Sequence, residues 1–282
     1  MQFSKAEGLG NDFIIIHQKS LEAANWLTLA CRICERHTGI GADGLLIYRA
    51  LPQRSPVAYQ MRIFNADGSE AEVSGNGLRC LAAHLCASFE LKADKFSIET
   101  VAGEHFLERI ASAHPTYWFR VDMGQPILER ALLDLKGSAG FESLIGYEIS
   151  LGTRTVKATL TSMGNPHCTL FVDGFGQMDW EDAGRHLETH DLFPRRTNIE
   201  FVRVIDRKNI EVRFWERGVG KTLSSGSGAS AAVVASILNG LTEREVAVHT
   251  LGGNLEIHWS EDQHVYLKGP ARLICQGEYN AS

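Results

Sequence analysis

Two serines stand where a reacting group would be well placed. Ser74 opens SGNGLRCLAAHLC and Ser225 opens SGSGASAAVVASI, so each begins a polar, Gly-rich turn that runs into an apolar, Ala-rich segment. A turn of this kind at a helix start exposes backbone N–H groups that have no intrahelical partner, at the positive end of the helix dipole. That is an anion site, and the glycines let the backbone approach a small carboxylate closely. A thiol at position 74 or 225 would have its pKa lowered from about 8.5 by the same dipole. Two thiols on opposite faces of a carboxylate-bound substrate would make an acid/base pair: one removes the α-proton, the other delivers a proton from behind, and the stereocentre inverts. Both positions are hydroxyls here. Capping by Ser and Gly accounts for one isolated motif equally well; the duplication points to function.

The repeat extends beyond the serines, which lie 151 residues apart (74 to 225). The Gly-Asn of GLGNDF, ending at Asn11, returns in SMGNPHC, ending at Asn165, 154 residues on (11 to 165). Two features in the same order, with half the chain as period, imply two related domains rather than a solenoid, whose units run about 20–50 residues. Equivalent turns of two domains facing each other across a pseudo-twofold axis converge on one cleft, a preferred ligand site. On that expectation Asn11, Ser74, Asn165 and Ser225 meet.

Short alternating or continuously apolar runs predict strands over 12–17, 44–50, 59–66, 95–100, 167–172, 210–216, 246–250 and 264–269. Helices are predicted over 21–37 and after Ser74 and Ser225, where a leading Ser-Gly suits an N-cap. The fold class expected is α+β, two homologous domains, each with strands wrapped around one central helix. Their bounds are expected at 1–124 with 272–282, and at 125–271.

With 282 residues, 44% apolar and 22% charged, the chain can bury a substantial core. A net charge of −6 without a basic run argues against a nucleic-acid surface and for a small-molecule ligand. No signal-like N-terminus and no apolar run of about 18 residues occur, so a cytoplasmic protein without a membrane partner is expected. Six scattered cysteines fit reduced thiols, most of them small buried hydrophobes.

KAEGLGNDF, RHTGIGADG, FNADGSEAEVSGNGLRC, SMGNPHC, RTNIEFV and ERGVGKTLSSGSGASAA occur in the order and spacing of one family. Through them nearly the whole chain resembles diaminopimelate epimerase, a cofactor-independent isomerase of bacterial lysine and cell-wall precursor synthesis. The resemblance implies conversion of LL- to meso-diaminopimelate by two-base proton transfer across the interdomain cleft, no cofactor, no metal and a homodimer. The substrate's reacting carboxylate would meet the N–H groups around Gly75, Asn76, Gly226 and Ser227, with amide contacts from Asn11, Asn65, Asn165 and Asn198. Arg217 would pair with the distal carboxylate as a forked donor, and Glu216 would balance the substrate ammonium or tune the catalytic groups, as would His167.

The main departure is at the catalytic positions: Ser74 and Ser225 match the family's two cysteines. Ser230 also falls where cysteine is common and Lys221 where glutamate is usual, whereas Cys80 and Cys168 keep their family places. An α-proton beside a carboxylate is very weakly acidic, and a neutral hydroxyl is a poor base unless a neighbour takes its proton. Impaired turnover is therefore expected. Two other functions stay open: a non-catalytic amino-acid binder, and an isomerase of the same fold with a carboxylate base, for which Glu216 or Asp67 would have to serve.

Other motifs are weaker. GIGADG (39–44) matches a dinucleotide fingerprint but follows polar residues rather than a strand, and GVGKT (218–222) lacks the earlier glycine of a P-loop, having Trp215 there. HLETH (186–190) offers histidines at zinc-ligand spacing but reads better as a solvated helix end, and CRIC (31–34) as two packed thiols.

Overall fold

The computed structural model describes residues 1–20, 25–51, 58–129, 133, 135, 136, 143–152, 154–176 and 178–280. Two compact units form, Met1–Asp122 with Lys268–Ser282, and Met123–Leu267.

In the first unit β1 (Gln2–Gly8) turns back into β2 (Asn11–His17), followed by α1 (Trp26–Cys34), β3 (Gly44–Leu51), β4 (Ala58–Asn65) and β5 (Glu70–Ala71). Then come α2 (Gly75–Ala87), β6 (Lys95–Thr100), β7 (Gly103–Ala113) and β8 (Thr116–Asp122). β1 pairs antiparallel with β2, β2 parallel with β3, β3 antiparallel with β4, β4 antiparallel with β5 and parallel with β6, and β6 antiparallel with β7.

The second unit holds β9 (Tyr147–Leu151), β10 (Arg154–Ser162), β11 (Pro166–Phe171), α3 (Trp180–Glu188), β12 (Asn198–Asp206), β13 (Asn209–Glu216) and β14 (Gly220–Thr222). It continues with α4 (Gly226–Leu238), β15 (Glu245–Thr250), β16 (Gly253–Trp259) and β17 (Val265–Glu278), whose last residues belong to the first unit and pair with β1. From β10 onward the pairings run antiparallel, parallel, antiparallel, antiparallel, parallel, antiparallel, the same series as from β1. α4 repeats α2 151 positions later at both ends (75 to 226, 87 to 238). The fold is thus α+β with two homologous domains, each wrapping strands around a buried helix.

The central helices are buried for different reasons. α4, GSGASAAVVASIL, is apolar around its whole circumference, and its small residues let strands close in from every side. Ser230 and Ser236 satisfy their hydroxyls by donating to the carbonyls of Gly226 (3.0 Å) and Ala232 (2.7 Å) four residues back. α2 buries Asn76, Arg79 and His84 as well, each with hydrogen-bond partners.

All eight predicted strands and both central helices form, with ends shifted by about a residue, except that the strand expected at 264–269 continues to Glu278. The helix predicted over 21–37 is shorter. It starts after Asn25, whose Oδ1 caps Thr28 N at 3.4 Å, and stops at Cys34 because Glu35 turns its carboxylate back onto the N–H groups of His37 and Thr38; residues 21–24 lie outside the described residues. GIGADG follows a helix and runs into strand β3, the reverse of the dinucleotide arrangement, and GVGKT spans the end of the hairpin turn after β13 and the whole of β14, with Gly218 and Gly220 at positive φ. Four cysteines are buried, but Cys31 and Cys275 are exposed, so CRIC is not a packed pair. Among the described residues no helix is long and apolar enough to cross a membrane.

Candidate active site

Ser74 and Ser225 are the N-caps of α2 and α4, with backbone angles of φ −140°, ψ 120° and φ −135°, ψ 129°. Extended angles at the cap swing the hydroxyl back over the first turn, where Ser74 Oγ accepts from Gly77 N at 3.0 Å and Ser225 Oγ from Gly228 N at 3.2 Å. The same local structure is therefore built twice. The two Gly-Asn turns match as well: Gly10 and Gly164 adopt φ of 86° and 93°, joining β1 to β2 and β10 to β11.

In the first unit Asn11 opens β2 and meets the first turn of α2: Asn76 Nδ2 donates to Asn11 Oδ1 at 3.3 Å, and Asn11 Nδ2 donates to Asp43 Oδ2 at 2.8 Å. Gly75 and Asn76 are buried. Asn65 ends β4 in a turn, its Nδ2 donating to Ser69 Oγ at 3.0 Å. Asp67, in that turn, accepts from Ser69 N (2.8 Å) and Oγ (2.6 Å), which hold its carboxyl below the usual carboxylate range. It is a weakened base.

The second unit carries more chemistry at the start of its central helix. Glu216 ends β13 with Oε1 accepting from Thr222 Oγ1 at 2.7 Å and Oε2 from Ser225 Oγ at 3.2 Å. Burial raises its pKa, outweighing those two hydrogen bonds and the nearby His167. On the neighbouring strands His167 Nδ1 lies 2.6 Å from Glu200 Oε1 and its Nε2 lies 2.9 Å from Asn165 Oδ1, all three on one short line of contacts. Glu200 also accepts from Thr169 Oγ1 at 3.2 Å. Asn198 is committed to the backbone: its Nδ2 donates to Pro166 O (2.9 Å) and its Oδ1 accepts from Arg217 N (3.0 Å). It thereby fixes the segment that carries Arg217, whose exposed guanidinium has no carboxylate at ion-pair distance among the described residues. Gly226 is buried and Ser227 half-buried on the first turn of α4.

Arg79, Asp43 and Glu200 belong to these networks and were not singled out by sequence. Glu200 carried no local signal: the alternation Ile-Glu-Phe reads as a solvent-facing acid, whereas all five residues of NIEFV are buried. Lys221 donates to Glu181 at 2.6 Å and lies 5.4 Å from the Trp180 ring centroid, which ties β14 to the start of α3. His186 and His190 turn to different carbonyls, those of Asp182 and Ser150.

A family model described as diaminopimelate epimerase matches residues 3–129 and 159–274. A relative from Pelotomaculum thermopropionicum named diaminopimelate epimerase is 44% identical over 281 residues, covering 99% of each chain. The chain belongs to the diaminopimelate epimerase family. That makes it a member of a family of isomerases. A second relative of the same name, from Synechocystis, is 40% identical over 280 residues, covering 99% of this chain and 98% of its own. Among solved structures, a hydroxyproline epimerase from Agrobacterium vitis with bound trans-4-OH-L-proline shares the fold at a TM-score of 0.71 and 11% identity, covering 98% of this chain and 91% of its own. A phenazine biosynthesis protein from Bacillus anthracis does so at 0.69 and 14%, covering 100% and 99%. The diaminopimelate epimerase fold thus extends to proteins of different names.

Proposed function

We propose that the chain binds diaminopimelate and interconverts its LL and meso forms without a cofactor, with the helix starts at Ser74 and Ser225 on opposite faces of the substrate α-carbon. Serine at both starts makes the exchange slow. The observation that carries the reading is the pair of serine-capped helix starts, alike in backbone angles, in a chain 44% identical to a named epimerase. N–H groups of the first turns, around Gly75, Asn76, Gly226 and Ser227, receive the reacting carboxylate. Asn11, Asn65 and Asn165 add amide contacts, and Arg217 takes the distal carboxylate. Asn198 acts through the Arg217 backbone that it holds.

The proton chemistry is where serine costs. Losing a positioned acid or base typically slows a reaction about 10²- to 10⁴-fold. At Ser225 that loss is partly offset, because the hydroxyl donates to a buried carboxyl whose proton affinity is raised, so Glu216 takes the proton through Ser225 or directly. This contact favours a second reading, a same-fold isomerase with Glu216 as base; a non-catalytic amino-acid binder is the third outcome.

Calorimetric titration with LL- and meso-diaminopimelate, combined with NMR of α-deuterium uptake from D2O, separates them. Binding with slow exchange and inversion supports the epimerase. Tight binding with no exchange after long incubation leaves a binder, and failure to bind either isomer overturns the substrate assignment.

A further inference from the structure

Arg79 is the largest wholly buried side chain, and no carboxylate lies within ion-pair distance of it among the described residues. Its guanidinium donates instead to three neutral oxygens: Nε to Pro270 O at 3.1 Å, Nη1 to Gly75 O at 3.1 Å and Nη2 to Asn76 Oδ1 at 2.6 Å. Burial lowers its pKa only to about 10, so it remains a cation at neutral pH. A buried charge without a counter-ion is costly, and cores admit one where its hydrogen bonds do something a smaller group cannot.

The internal repeat shows what that is. The residue 151 positions after Arg79 is Ser230, whose Oγ donates to Gly226 O at 3.0 Å, the counterpart of the bond from Arg79 to Gly75 O. Holding that carbonyl therefore needs only a hydroxyl. What the guanidinium adds is reach, to Pro270 on β17 and to the side chain of Asn76. The position matching Asn76 is Ser227, which has no amide to orient.

From Asn76 a polarised chain runs on. Arg79 Nη2 donates to Asn76 Oδ1, Asn76 Nδ2 to Asn11 Oδ1 at 3.3 Å, and Asn11 Nδ2 to Asp43 Oδ2 at 2.8 Å. A guanidinium only donates and a carboxylate only accepts, so the two ends dictate which way both intervening amides face. An Asn amide is nearly symmetric in shape and flips easily in a symmetric setting; between these ends it cannot without placing like groups against each other.

We propose that Arg79 is a positioning residue, which with Asp43 locks Asn76 and Asn11 in the amide orientation that presents donors to the substrate carboxylate. This rests on the proposed reading that Asn11 and Asn76 contact diaminopimelate. Arg79 does not touch the substrate; it acts through Asn76 and then Asn11.

The test is a double-mutant cycle on the full chain, with meso-diaminopimelate affinity read by calorimetry. Arg79→Met is expected to weaken binding about tenfold or more in the parent, since it removes a hydrogen bond to a charged donor. In an Asn76→Ala background the same change is expected to cost less than about threefold, because the amide through which it acts is gone. Equal losses in both backgrounds would show that Arg79 merely supports the fold and would overturn the proposal. If Arg79→Met does not fold, Asp43→Asn replaces the acceptor-only end at a partly exposed position, and the same comparison with Asn11→Ala decides. Failure of the parent to bind either isomer sinks the substrate assignment and this inference together, whereas binding by the parent with an additive cycle sinks the inference alone.

Discussion

Introducing thiols at both helix starts, Ser74→Cys with Ser225→Cys, should trade stability for rate, and the geometry sets both magnitudes. Each hydroxyl accepts a first-turn N–H, at 3.0 Å from Gly77 and 3.2 Å from Gly228. Sulfur is a larger and weaker acceptor, and losing such a cap costs typically about 1 kcal/mol, hence roughly 2 kcal/mol for the pair. Against that, each acid or base so introduced is worth about 10²- to 10⁴-fold in rate, or roughly 3–5 kcal/mol of barrier. Deuterium uptake at the α-carbon reads the gain and urea unfolding reads the loss. The penalty should also depend on pH. A thiolate accepts these N–H groups better than a thiol, so a depressed folded pKa adds stability above the unfolded value of about 8.5, and that stability is lost as pH falls through the folded pKa. The double variant should therefore lie furthest below the parent near pH 6 and approach it near pH 9. A folded double variant with unchanged deuterium uptake would refute the hydroxyl argument, and an unchanged unfolding midpoint at pH 6 would refute the capping argument.

Replacing Glu216 by Gln should lower any residual exchange of the parent about 100-fold or more and flatten its rise with pH, which in the parent is centred above the ordinary glutamate value because burial raises that carboxyl; an unchanged pH–rate profile would exclude Glu216 as the base. Gly228→Ala should destabilise by about 1–3 kcal/mol, because a Cβ there would lie 2.9 Å from Phe214 Cδ1 and 3.1 Å from Glu200 Oε1. Gly77→Ala, whose nearest contacts would be 3.2 Å or longer, should cost clearly less, so equal unfolding midpoints for the two variants would contradict this packing. His84 is buried between Tyr48 and Ser4, and burial lowers its pKa from 6.5. The unfolded chain then takes up a proton that the folded chain does not, so stability falls as pH drops below about 6.5 until the depressed folded value is reached. His84→Gln should shrink the difference in urea midpoint between pH 7.5 and pH 5.5, and an undiminished difference would assign the loss to other groups.

The parts of this fold legible in sequence were those whose signal is local. Ser-Gly caps marked both central helices, because capping chemistry sits within four residues, and apolar alternation marked strands such as β3 and β13. β7 escaped because its residues are mostly exposed and it reads as charged loop, GEHFLERIASA. The candidate site residues divide in the same way. Ser74, Asn11, Asn165, Glu216 and Ser225 stand out by repeat and motif. Arg79 and Asp43 do not, since their roles are defined by partners distant in sequence: Pro270 is 191 residues from Arg79, and Asn11 is 32 from Asp43.

The repeat itself explains why the starts of α2 and α4 are not interchangeable. Their backbones agree to within about ten degrees, yet what lies beneath them differs in sign: a buried guanidinium under the start of α2, and the carboxyls of Glu216 and Glu200 beside the start of α4. The proposed two-base exchange needs one proton carrier empty and the other loaded before each turnover, and two identical surroundings would titrate together and populate that arrangement poorly. A cation beneath one carrier favours its deprotonated form, and an acid in hydrogen-bond contact with the other opposes a second negative charge there. In the single variants, a thiol introduced at position 74 should accordingly be alkylated by iodoacetamide at lower pH than one introduced at position 225. The order should close up when Arg79 loses its charge, since the backbone dipole alone is common to both helices.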